Sequence, residues 1–147
     1  MRILPTMFAA LVLSAAVPAL AADENAPSYQ NGTVWDFSDV KTTDGHFDDY
    51  MSWLAGPWKQ QQEALKKAGY IVSYKVLIVT DPRHGEPDLI LATEYANMAA
   101  FDRSTTEVYA TMAKLFGPLP EASKKQVERG AIRTILGDTL AREAILK

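Results

Sequence analysis

Cysteine is absent from this 147-residue chain. No disulfide can form, no thiolate is available to a metal, and no lipid can attach at a cysteine. Histidine is nearly absent: His46 and His84 stand far apart, with neither an HxH nor an HxxxH spacing, so the sequence marks no transition-metal site. There is no Gly-rich phosphate loop, no G-x-S-x-G elbow and no nucleophile–base pair, and no cofactor is called for. Basic residues are outnumbered, 15 against 18 acidic ones for a net charge of −3, and they form no dense basic face, which disfavours nucleic acid as a partner. Internal repeats and low-complexity tracts are also missing.

A bilayer-spanning run would need roughly 20 apolar residues. The apolar stretch over residues 7–17 is shorter, and Ser14 and Pro18 break it early. Preceded by Arg2 and closed by Ala19-Leu20-Ala21, it reads as a secretory signal peptide, residues 1–21, with an A-x-A cleavage site after Ala21. The expected product is periplasmic or secreted, with no stable membrane anchor after cleavage. Residues 22–32 are polar and rich in turn formers and read as a flexible leader. One domain, residues 33–147, accounts for the rest.

Within that domain the periodicities give an ordered set of elements. Residues 33–40 alternate Val34, Asp36, Ser38 and Val40 against Trp35, Phe37 and Asp39, which predicts a strand with its aromatic face the better buried. Asp44 is placed to cap a helix in which Phe47, Tyr50, Met51, Leu54, Trp58 and Leu65 share one side, with a kink at Gly56-Pro57 and an end at Gly69. Residues 70–79 and 89–95 predict two more strands, the first apolar on both faces, joined by an exposed loop rich in Pro, Gly and charge. Asn97 is placed to cap a short helix, and Ser104 with Glu107 matches a capping box. Gly117-Pro118-Leu119-Pro120 interrupts the second helical region, which resumes over 121–136 with Val127, Ala131 and Ile135 inward. Gly137-Asp138 then reads as a turn into a last, weak strand over 139–146.

This β-α-β-β-α-β order is that of a ferredoxin-like α+β fold, an antiparallel four-stranded sheet with its helices on one face. That order, the stretch WKQQQEALKKAGYIVSYK over 58–75 and the ending Arg142-Glu143-Ala144-Ile145 resemble the dimeric α/β-barrel superfamily, which includes antibiotic-biosynthesis monooxygenases and NIPSNAP-type domains. The resemblance implies a homodimer whose two sheets meet face to face and close a barrel. Haem-degrading members place a ligating His in the second helical region. This chain has no His between 97 and 136, which argues against haem oxygenation.

Three residues are candidate catalytic groups. Asp36 would act as a base if helix packing on the Trp35/Phe37 side turned it into the barrel. His46 shares a helix face with Tyr50 and Trp53 and is either a pocket-mouth acid or base or a solvated first-turn histidine. Tyr74 offers a hydroxyl, as does Ser73, although strand tyrosines commonly pack. Trp35, Trp53 and Trp58 are candidates to line an apolar ligand pocket, or else belong to core or interface. Lys75 and Glu94 interrupt apolar strands and are either interior ligand contacts or paired charges at a rim. Three readings follow: a barrel that binds an apolar or aromatic small molecule, a cofactor-independent monooxygenase or isomerase, and a structural or interaction protein of the envelope.

Overall fold

The computed structural model describes residues 26–147, so the signal peptide and the start of the leader lie outside the described residues. The elements in chain order are β1 (Tyr29–Thr42), α1 (Phe47–Trp53), a π-helical turn (Leu54–Trp58), α2 (Lys59–Lys67), β2 (Ser73–Ile78), β3 (Leu89–Tyr95), a 3₁₀ turn (Met98–Phe101), α3 (Thr105–Phe116), α4 (Leu119–Arg129) and β4 (Arg133–Leu146). The strands form one antiparallel sheet in the order β2-β3-β1-β4. With the first and last strands adjacent and the β2–β3 hairpin outside β1, this is the ferredoxin-like α+β arrangement.

Local signals account for most boundaries. Pro57 lacks the N–H that would bond back along the helix, and the chain accommodates it by widening into the π turn at the expected kink. Gly69 ends the helix at φ +77°, where an L side chain would clash. Asn97 caps the 3₁₀ turn by accepting from Ala99 N, and Ser104 accepts from Glu107 N at the start of α3. Asp44 caps nothing: the N-cap position of α1 belongs to His46, with no side-chain cap bond.

Besides β2, which opens at Ser73 rather than at residue 70, three boundaries depart from expectation. β1 begins at Tyr29, taking residues 29–32 out of the leader, because the end of β4 pairs with them: Tyr29 faces Leu146 and Gln30 faces Ile145. The helix expected over 121–136 stops at Arg129, so Ile135 lies in a strand and Val127 is 78 % exposed. Gly137-Asp138 is no turn. Both residues pair within β4, opposite Asp39 and Ser38, beside a register shift that absorbs one extra residue. The strand expected to be weak is as long as β1, because pairing along β1 outweighs the poor strand propensity of Ala141 and Glu143.

Register sorts the side chains into two sheet faces. Val40, Leu89 and Leu91, with Tyr74 and Val76 beside them, pack under Tyr50, Leu54 and Trp58 of the first helical segment. Val34 and Val40 are both 0 % exposed. The expectation for β1 is thus reversed, and Asp36 lies on the helix-facing side while Trp35 and Phe37 look away from the helices. Size explains the reversal: Tyr50, Leu54 and Trp58 fill the helix–sheet gap, leaving room above β1 for branched aliphatic side chains. No residue of α3 or α4 is buried, and neither covers β4, whose Ile135 and Leu140 stay exposed on the helix-facing side.

Candidate functional site

The candidate site lies on the sheet face that carries no helix. Trp35 and Phe37 point the same way from β1 and stack with ring centroids 6.0 Å apart at 16°. Ala92, across from Phe37 on β3, is 1 % exposed and forms a floor between these rings and the β2 side chains Lys75 and Leu77. Together the five residues line an open groove of about 220 Å³. Lys75 Nζ stands 5.0 Å from the centre of the Trp35 ring, so its charge meets the electron-rich face of the indole. Glu94 faces the same side between Trp35 and Ser73, and accepts a 2.5 Å hydrogen bond from the Ser73 hydroxyl. An aromatic surface with one cation and one carboxylate at its margins can hold a flat apolar molecule and orient a polar substituent on it.

The expected catalytic residues are not brought together. Asp36 sits across the sheet from this groove, between Thr93 and Leu140. Burial first, and then the neighbouring Asp138 charge, raise its carboxyl above the ordinary value. Asp138 itself accepts a 2.5 Å hydrogen bond from Ser38. His46 lies at the mouth of α1, with Nδ1 2.8 Å from Asp49 Oδ2 in an exposed local pair. Tyr74 is on the helix-facing side, edge-on to Trp58 at 5.3 Å, and donates a 2.5 Å hydrogen bond to Glu63 Oε1. That bond raises the Tyr74 phenol, which keeps the hydroxyl protonated and so unable to act as a base near neutral pH.

The tryptophans likewise occupy three places. Trp35 lies in the open-face groove and Trp58 is in the core, while Trp53 stacks on Tyr50 at 5.5 Å and borders a second groove beside α4. Sequence reasoning missed that second groove with its Arg129, and the neighbouring Arg133. Their one signal was the segment RGAIR over 129–133, two arginines four apart around a glycine, which was read as the interior of a helix. Among the described residues no group of three or more His, Cys, Asp or Glu could hold a metal ion, and no helix is long and apolar enough to cross a membrane.

No protein-family model and no curated protein sequence matches the chain. Solved structures do. HapK from Hahella chejuensis superposes with a TM-score of 0.50 at 10% sequence identity, over 75% of this chain and 91% of HapK. The chain shares the ferredoxin-like fold. A second match is a dimeric ferredoxin-like protein from an uncultured marine organism, with a TM-score of 0.40 and 16% identity over 80% of this chain and 98% of that one. At such identities the likeness is one of fold.

Proposed function

We propose that the chain is an exported binding protein that pairs with a second copy through the helix-free sheet face and holds an apolar or aromatic small molecule between the two sheets. The observation that carries this reading is the Trp35, Phe37, Leu77 and Ala92 surface, an apolar face in the middle of the sheet with no described element over it. Leaving Leu77 43 % exposed beside two aromatic rings costs solubility in a monomer, and a facing copy removes that cost. Two facing grooves would pool a volume above the ~300 Å³ at the lower end of ligand sites. Export rests on the order of charge, apolar run and A-x-A at the amino terminus.

Native mass spectrometry of protein taken directly from its source tests the reading. The expected spectrum is a dimer carrying a bound mass that is lost in Trp35→Ala. A dimer with no bound mass, unable to take up aromatic compounds, would leave only the structural or interaction role.

A cofactor-independent monooxygenase or isomerase is the second reading, and the raised Asp36 carboxyl is what favours it, because a general base works best when tuned toward neutral pH. Against it stands the scatter of Asp36, His46 and Tyr74 over separate places. Turnover of an aromatic substrate with oxygen that disappears in Asp36→Asn would establish it. Turnover that survives both Asp36→Asn and His46→Ala would remove these residues from the account.

A further inference from the structure

The end of α4 and the start of β4 bring two arginines to one side of α1. Arg129 stacks its guanidinium on the Trp53 ring, with Cζ 4.5 Å from the ring centre. Arg133, the first residue of β4, is fixed by pairing with Thr42 and lies beside the Tyr50 phenol. The Nε of each arginine is buried without a hydrogen-bond partner, and among the described residues neither guanidinium takes part in an ion pair. Burial and the neighbouring Arg133 charge both push Arg129 below its ordinary value. Two cations held together at a cost, each with an unspent Nε–H although Arg133 also reaches the Tyr50 oxygen, favour an anion beside them.

Space for one is present. A groove of about 370 Å³ opens here, lined by Trp53, Pro57, Ile132 and Arg129. Pro57 faces it from the π turn, a distortion that recurs at functional sites. Lys125 and Glu128 also line it, and Glu128 pairs with neither arginine. The contact with the indole spends none of the N–H groups of Arg129, which can donate to an oxyanion in the groove.

We propose that this groove is a second binding site, separate from the helix-free sheet face, that takes an organic carboxylate with an apolar or aromatic body: the carboxylate pairs with Arg129, the neighbouring Arg133 charge adds to the attraction, and the body lies against Trp53, Pro57 and Ile132. Carboxylate is favoured over inorganic oxyanions because the walls beyond the arginines are apolar.

The test titrates 2-naphthoate into the full chain by calorimetry, with 2-naphthamide and inorganic phosphate as the other arms. The expected result is naphthoate bound at least about tenfold more tightly than the amide or phosphate, with a loss of about 10- to 100-fold in Arg129→Gln and a smaller loss in Arg133→Gln. Because a variant that fails to fold would also read as lost binding, the Arg Nε–H signals of the wild-type protein are followed by ¹⁵N correlation spectra during the same titrations. The Arg129 signal should shift with naphthoate and stay fixed with the amide. Naphthoate binding that leaves all Arg Nε–H signals unmoved, equal binding of the amide, or phosphate competing as well as naphthoate would each overturn the proposal.

Discussion

Asp88→Ala should destabilise the fold by about 2–4 kcal/mol, because this one carboxylate ties the entry of β3 to the exit of β1. It accepts from the Thr42 backbone N–H at 2.8 Å, the Thr42 hydroxyl at 2.6 Å and Lys41 Nζ at 2.6 Å. The three bonds are unequal. Lys41 has a side chain 39 % exposed, so its ion pair is screened and contributes ~0–1 kcal/mol. Thr42 is only 9 % exposed, and deleting the acceptor strands two donors, each at the low end of about 1–3 kcal/mol because the Asp88 side chain is 19 % exposed and water can partly replace it. With a urea m-value of ~1–3 kcal/mol/M the unfolding midpoint should fall by about 1–2 M at pH 7. Burial alone would raise the Asp88 carboxyl, but the bonds from Lys41 and Thr42 outweigh it and hold the group below its ordinary value. The sign follows: the stabilisation is complete above the unfolded value of about 3.9 and is lost as pH falls through the lower folded value, so wild type and variant should converge only in that acid range. A destabilisation under about 0.5 kcal/mol at pH 7, the size of a generic surface change, would refute the reasoning.

Leu89→Ala removes a fully buried side chain from beneath Tyr50 and Leu54 and should cost about 2–5 kcal/mol in the same urea assay. Gly69→Ala places a Cβ at φ +77° and should cost ~1–2 kcal/mol, without altering the circular dichroism of the folded state. Asp36→Asn should stabilise at pH 7: the folded carboxyl titrates above its unfolded value, so wild type loses stability as pH rises from about 3.9 through the folded value, and the variant's advantage should fade below about pH 4 in thermal unfolding.

Where local rules act alone, the sequence was legible. The kink at Pro57, the stop at Gly69, the Asn97 cap and the bounds of β3 depend on backbone chemistry within a few residues, and the structure keeps them. Where long-range pairing decides, it was not. β4 looks weak residue by residue, yet it pairs along β1 from Thr42 to Tyr29, which carries Ile135 into a strand and pulls residues 29–32 out of the leader. The Arg129-Gly130 stop signal was present but was overridden by the apolar spacing that follows it. Asp36 falls on the unexpected face because alternation along β1 marks the larger aromatic side chains as the deeper ones, whereas the helix–sheet gap has room for valine and leaves Trp35 and Phe37 over Ala92. The arginine pair was illegible for a related reason, since a helix drawn through residue 136 hides the strand that sets Arg133 beside Tyr50.

The pairing of two copies through the Trp35, Phe37 and Leu77 face is the central claim, and sedimentation equilibrium of the folded protein at micromolar concentration tests it most directly. The account predicts twice the chain mass for wild type and a folded monomer for Leu77→Asp, whose charge would face its own copy across the interface. A wild-type protein that sediments as a stable monomer with a well-folded spectrum would contradict it.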